Sequence, residues 1–340
     1  MLGVVKSNAY GHELFGFAQE LSELGIDWLG VDSITEAVAL RKQGIKKPIL
    51  VLGYTLPSNF ILAYNHGIVL TLSSFESLKI LSRLKHNIVI HLKIDSGMHR
   101  QGFFVSDLPK VLHLIKASPH IKLKGAYTHF AAAKRPDTTH ATEKQIHIFK
   151  NALAIIKSYG FNVIAHSSAT AGTLNYPEAH LDMVRVGIGL YGLWPSLETK
   201  QAFKKKINLK PVLTWKTIIS EIKTVEKGEK IGYDYTEELK KTKNLAILPI
   251  GYWHGCWRAW SSQARVLVKG LKCKVIGCVA MDMVAIDVTD VSGVKVGDEV
   301  VLIGSQGKET ITADELANLA STTNYEVVTR LNPLIKKFYI

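Results

Sequence analysis

Residues 1–200 repeat one order of apolar and polar positions. A short apolar run is followed by a few polar residues and then by an amphipathic segment. The apolar runs are Leu2–Val5, Trp28–Val31, Ile49–Leu52, Ile68–Leu72, Ile88–Leu92, Leu123–Tyr127, Val163–Ala165 and Met183–Ile188. Their length and β-branched content predict strands. Between the first two, Leu14, Phe17, Ala18, Leu21 and Leu24 recur at helical spacing and Gly25 supplies a stop. Ser33-Ile34-Thr35-Glu36 and Ser73-Ser74-Phe75-Glu76 each read as a capping box just after a strand. Strand, loop and capped helix in repetition predict a parallel sheet. Eight such units closing on themselves give an α/β fold of the (β/α)8 TIM-barrel type. An open doubly wound sheet is the other arrangement this pattern permits.

From about residue 210 the pattern changes. Val212–Val225 alternates and runs into the turn Glu226-Lys227-Gly228-Glu229. Short strands are then predicted at Leu245–Ile250, Ala264–Val268, Lys274–Ile276, Val284–Val288 and Glu299–Ile303, with one helix near Ala313–Ala320. The expected organisation is a barrel over residues 1–205 and a mainly antiparallel β domain over 206–340. The boundary falls at the lysine cluster Lys204, Lys205 and Lys206.

Composition narrows the function classes. The chain has 340 residues, 47% hydrophobic and 21% charged, which is ordinary for a globular protein. No apolar run approaches the roughly 20 residues a membrane span needs. The N-terminus has no signal-peptide pattern. Cys256, Cys273 and Cys278 are too few for a disulfide framework and match no common zinc spacing. A cytoplasmic protein with reduced thiols, no membrane partner and no metal is expected. The net charge of +13 is spread along the chain without a nucleic-acid-binding motif, so it predicts a lysine-rich solvated surface and no nucleic-acid partner.

Barrel enzymes place their chemistry at the C-terminal ends of the strands. Lys6 ends the first predicted strand, Lys93 and Asp95 follow the fifth, Thr128 and His129 the sixth and His166 the seventh, and Arg185 lies within the eighth. Taken singly, each could be a surface charge or a hydrogen-bonded core histidine. Together they would put ionisable groups on one face. A lysine at an apolar edge loses affinity for its proton and can attack a carbonyl, the chemistry of a Schiff base with a substrate or with pyridoxal phosphate. Val186-Gly187-Ile188-Gly189 offers a weak signal for a phosphate cradle.

The residues also carry a family resemblance. VVKSNAYGH (4–12) resembles the lysine motif of bacterial alanine racemases, the fold-type III pyridoxal-phosphate enzymes. The likeness continues through LKIDSGMHRQG (92–102), YTHFA (127–131), VRVGIGLYG (184–192), PIGYWHG (249–255), AMDM (280–283) and NYEV (324–327), across essentially the whole chain. The resemblance implies a cytoplasmic homodimer with shared active sites that racemises alanine with pyridoxal 5'-phosphate and supplies D-alanine for peptidoglycan. It implies that Lys6 holds the cofactor and is the base on the D-alanine side. Tyr252 would be the opposing base, reaching the site from the second subunit. Arg185 would face the ring nitrogen, with His166 contacting that arginine and His129 lying against the ring. Tyr10, Thr170, Gly187, Ile188 and Tyr325 would hold the phosphate. Arg100 and the backbone of Met281 would hold the substrate carboxylate. Lys93 matches a lysine that is carbamylated in some members and positions that arginine.

Several positions depart from the family pattern. Trp253, His254 and Trp257 stand in the loop that follows the presumed base, with His254 in place of an acidic residue. Ala169 replaces an asparagine and Thr170 a serine. His99 stands where a glycine is usual, and the arginine expected after Asn332 is missing. The resemblance further implies a strand and a helix ahead of the lysine strand, whereas Met1 here lies almost within that strand. Two other readings follow from these departures: a non-catalytic pyridoxal-phosphate-binding barrel, or a racemase of another amino acid such as serine.

Overall fold

Short apolar runs whose side chains are buried on both faces can pair only inside a covered parallel sheet. The computed structural model describes residues 1–135 and 139–340. Its first eight strands are β1 (Leu2–Val4), β2 (Trp28–Val31), β3 (Ile49–Val51), β4 (Val69–Leu72), β5 (Ile88–Lys93), β6 (Ile121–Tyr127), β7 (Ile164–His166) and β8 (Arg185–Val186). They are parallel and lie in the order β7-β6-β5-β4-β3-β2-β1-β8. That order is a barrel and rules out the open doubly wound sheet. Closure between β7 and β8 is made by single bonds, Asp182 N–H to Ala165 O at 3.1 Å and Arg185 N–H to Ser168 O at 2.9 Å.

Residues 1–9 and 13–210 pack as one compact unit, and residues 10–12 and 211–340 as a second. The second unit is an antiparallel sheet. Its strands run in the order 221–225, 243–248, 284–287, 271–276, 265–268, 299–306 and 309–311, and 215–218 pairs with 299–306. The predicted continuous strand over Val212–Val225 is two strands, Trp215–Ile218 and Glu221–Val225. Lys269 and Gly270, with φ of 48° and 79°, make the tight hairpin turn their sequence suggests. The predicted helix occupies Ala313–Leu319, and a second short one, Asn324–Thr329, was not expected.

Capping follows the sequence at one site and corrects it at another. Ser33 and Glu36 form the full capping box of the helix Ile34–Lys42. After β4, Ser74, not Ser73, is the cap. Its hydroxyl accepts from Ser77 N–H at the start of the helix Phe75–Leu81, and no box forms with Glu76. Ser73 Oγ instead accepts from Gln101 Nε2 at 3.1 Å.

The chain leaves β1 in an unusual way. Ser7, Asn8, Ala9 and Tyr10 all adopt left-handed φ values of 55°, 56°, 51° and 52°. Side chains disfavour that region by about 1–2 kcal/mol per residue. Bonds to the next unit hold the turn. Asn8 N–H donates to Glu36 Oε1 at 3.2 Å, and the Asn8 side-chain oxygen accepts from Leu14 N–H at 2.9 Å. Glu36 Oε2 also accepts from Asp32 N–H at 2.9 Å, so one carboxylate ties the ends of β1 and β2 together. Asn8→Ala should lower the urea unfolding free energy by about 1–2 kcal/mol, through the lost acceptor and the added strain. Asn8→Gly should lose less, because glycine accepts the left-handed backbone. Equal losses in the two variants would refute the strain argument.

Candidate active site

The upper ends of β5, β6, β7 and β8 converge on Arg185. This guanidinium is buried, and its partners carry no negative charge. NH1 donates to His166 Nδ1 at 3.0 Å. NH2 donates to Thr128 O and Ser167 O, each at 2.8 Å, and reaches His129 Nδ1 at 3.3 Å. Burial pushes its pKa down to about 10, against the opposing influence of Tyr127. Among the described residues the Arg185 Nε–H meets no acceptor, so one donor edge remains available.

Tyr127 is the centrepiece of the surrounding stack. Its ring lies parallel to His166 at 4.8 Å and carries Lys93 Nζ at 4.4 Å and the Arg185 guanidinium at 5.2 Å. The Tyr127 hydroxyl bonds Thr71 Oγ1 at 2.8 Å. Burial chiefly, then the nearby Arg185 and Arg100, pushes the Lys93 amine well below its ordinary range. Lys93, Asp95, Arg100, Thr128 and His129 line one cleft at this end of the barrel.

The loop after β5 is wrapped around Asp95. Burial raises its carboxyl, but the amides of Gly97, Met98 and His99, which all donate to Oδ1, hold it below the usual carboxylate range. His99 has φ of 53°, the left-handed conformation for which a glycine would be suited, and its imidazole lies 3.4 Å from Asp95. Gln145 braces the next loop, bonding Ala131 N–H, His129 O and Ser96 Oγ.

Lys6 sits at the end of β1, partly exposed, with Nζ 3.4 Å from Asp32 Oδ1. Thr170 lies at the start of the helix Thr170–Asn175, where Ala169 provides no side-chain cap. The Thr170 hydroxyl accepts from Gly187 and Gly189 N–H at 3.2 and 3.3 Å, which leaves its own hydrogen to be donated elsewhere. A Cβ at Gly189 would lie 2.9 Å from Thr170 Cγ2, so the approach needs glycine. Ile188 is buried in the tight turn between them.

In the second unit the Tyr10 and Tyr325 rings meet at 6.1 Å. Burial and Tyr10 push the Tyr325 phenol up. Tyr252 and Met281 are both exposed and are brought side by side by backbone bonds. Tyr252 N–H donates to Ala280 O and Trp253 N–H to Met281 O. A Cβ at Gly251 would lie 2.1 Å from Ala280 O, so this approach also demands glycine. The departures Trp253, His254 and Trp257 are integrated into the loop. His254 Nδ1 accepts from Gly251 N–H, Asn332 Nδ2 donates to Trp253 O, and Arg330 lies over the Trp257 ring at 5.0 Å.

Three features fit pyridoxal phosphate, the group the motifs imply. These are a strand-end lysine, a hydroxyl and glycine cradle, and a buried guanidinium with an open N–H and no carboxylate. A guanidinium can only donate, which suits an unprotonated ring nitrogen. Among the described residues no cluster of histidine, cysteine or acidic side chains has the geometry to hold a metal ion, and no helix is long and apolar enough to cross a membrane. Sequence reasoning passed over His91, Tyr127 and Asp32. His91 is two residues before Lys93 and Tyr127 two before His129, so the strand period already placed each pair on one face.

The family model described as alanine racemase, N-terminal domain, matches residues 1–195, and that for the alanine racemase C-terminal domain matches 212–339. An alanine racemase of Symbiobacterium thermophilum is 39% identical over 344 residues, spanning 100% of this chain and 90% of the relative. One of Methylacidiphilum infernorum is 39% identical over 346 residues, spanning 100% of this chain and 86% of that protein. The crystal structure of alanine racemase from Bacillus anthracis with bound L-Ala-P has a TM-score of 0.92 at 35% identity, covering 97% of this chain and 85% of that one.

The buried histidines give the site a pH signature. Burial, with Lys124 and Arg185 adding to it, pushes His91 down to about 3. Burial first and Arg185 next hold His129 and His166 well below the ordinary histidine range. In the unfolded chain these groups bind protons near pH 6.5, while the folded chain refuses them. Their stability contribution is therefore full above about pH 6.5 and is lost as pH falls, by up to ~1.4 kcal/mol per pH unit for each histidine. Urea unfolding should show lower stability at about pH 5.5 than at about pH 7.5. Equal stability at the two would contradict neutral burial of this trio.

Proposed function

The chain belongs to the alanine racemase family, and from that premise we propose how its own residues interconvert L-alanine and D-alanine. The carrying observation is a strand-end lysine, Lys6, on the same barrel as a buried arginine, Arg185, that has no anionic hydrogen-bond partner among the described residues. The family assignment disfavours the non-catalytic reading and the reading as a racemase of another amino acid.

Lys6 would hold pyridoxal 5'-phosphate, which would supply the sink for the electron pair left when the α-proton of alanine is removed. Arg185 would face its ring nitrogen as a donor and would leave that nitrogen without a proton, which would restrain the sink and disfavour side reactions. His166 accepts from Arg185, and His129 would lie against the ring. Tyr10, Thr170, Gly187, Ile188 and Tyr325 would hold the phosphate. Arg100 and the Met281 backbone hold the substrate carboxylate. Lys93, buried beside two arginines, is the residue that a carbamate would convert from a suppressed cation into an anion between them.

Inversion at carbon needs a proton donor and acceptor on each face. The Lys6 amine serves the D-alanine face. Tyr252 serves the L-alanine face, and its exposure supports delivery to the site of a second copy in a homodimer. The barrel, residues 1–205, thus carries the cofactor, and the β domain, 206–340, carries the opposing base.

Lys6→Ala should abolish racemisation and the visible absorbance of bound cofactor. Tyr252→Phe should lower kcat by roughly 10²–10⁴-fold, with α-proton exchange from L-alanine suffering more than that from D-alanine. Full activity in Lys6→Ala, or symmetric exchange loss in Tyr252→Phe, would overturn these roles. Mixing the two variants should restore part of the activity if sites are shared across a dimer.

A further inference from the structure

A chain of hydrogen bonds runs from Arg185 into the barrel, and its direction is fixed by chemistry. Arginine has only donors, so His166 Nδ1, 3.0 Å from Arg185 NH1, carries no proton. Neutral His166 therefore holds its proton on Nε2, which lies 2.8 Å from His91 Nδ1. His91 must accept there and hold its own proton on Nε2. That nitrogen is buried and has no hydrogen-bond partner among the described residues. The Trp28 ring lies 5.3 Å from the His91 ring, centroid to centroid.

Leaving such a donor unpaired costs about 1–3 kcal/mol. The barrel makes two further concessions to the same imidazole. The β5–β6 ladder slips between Ile90 and His91, so that His91 pairs with Gly125 and Lys124 is skipped. A Cβ at Gly125 would lie 2.4 Å from the His91 ring. An apolar side chain could fill this place without an orphan donor. What it could not do is accept the His166 proton.

We propose that His91 is a positioning residue for the racemase reaction: by accepting from His166 Nε2 it fixes the tautomer in which His166 receives Arg185, and so sets the guanidinium toward the cofactor's ring nitrogen. The inference rests on the role given to Arg185 above. Without His91, His166 can take the other tautomer, which would turn an N–H against the N–H of Arg185.

The test begins with the wild-type protein loaded with pyridoxal phosphate and labelled with 15N-histidine. Both His91 and His166 should give NMR signals of the Nε2–H tautomer, with no titration between about pH 6 and pH 9. His91→Leu should shift His166 toward Nδ1–H and lower kcat by about ten- to a hundredfold, the usual cost of losing a partner that orients a histidine, with little change in KM. His91→Asn, whose amide oxygen can accept, should restore the tautomer and most of kcat. An Nδ1–H signal from either histidine in the wild type, or an unchanged kcat in folded His91→Leu, would overturn the proposal. If His91→Leu does not fold, the wild-type tautomers and His91→Asn decide it. Absence of alanine racemisation by the wild-type protein would overturn the functional reading instead, and the tautomer measurement would stand apart from it.

Discussion

A buried cation without a buried anion is the constraint around which the barrel is organised. Arg185 is surrounded by carbonyl oxygens, imidazole nitrogens and one tyrosine ring. Desolvating a guanidinium is costly unless its donors are matched, and here neutral acceptors do most of the matching. The consequence spreads outward. Imidazoles that accept from Arg185 cannot also be protonated, which agrees with the depressed pKa of His129 and His166. Lys93 lies in the same field and is depressed as well. The site is therefore positively biased but short of protons at neutral pH. Such a surface favours an anionic ligand and an unprotonated ring nitrogen.

The second constraint is conformational. A left-handed turn of four non-glycine residues directly follows Lys6, and strain of this kind survives only where the surroundings over-determine it. Glu36 is the main restraint, since its carboxylate receives amides from both the turn and the end of β2. The same glutamate closes the capping box of the following helix. One side chain thus links helix initiation to the placement of the lysine.

Much of the fold was legible because period and capping are local. β2 matches its expected limits, and β1, β3, β4 and β5 differ by one residue at an end. β8 ends sooner than expected, because the chain turns at Gly187–Gly189 to meet the Thr170 hydroxyl, a contact between distant residues. Ser74 displaced Ser73 as a cap because the helix starts at Phe75, one residue later than a box closed by Glu76 requires, which no spacing rule resolves. The strand-end residues Lys6, Lys93, His129, His166 and Arg185 were visible as candidates from position alone. Tyr127 was not, since its importance comes from the groups packed on its ring, Lys93 and His166, which belong to other strands. The left-handed turn was also hidden, because Lys6 to Tyr10 contains no glycine to announce it.

The register of one strand pair connects these observations. Inward positions on β5 supply His91 and Lys93, and inward positions on β6 supply Gly125 and Tyr127. A uniform ladder would carry every residue of β6 beyond the slip to the opposite face relative to β5. Lys124 would then oppose His91, and Tyr127 would lose its place between Lys93 and His166. The single skipped residue therefore keeps Lys124 from opposing His91 and keeps Tyr127 opposite Lys93. In this barrel, the electrostatics of the site are decided by backbone pairing before any ionisable side chain is considered.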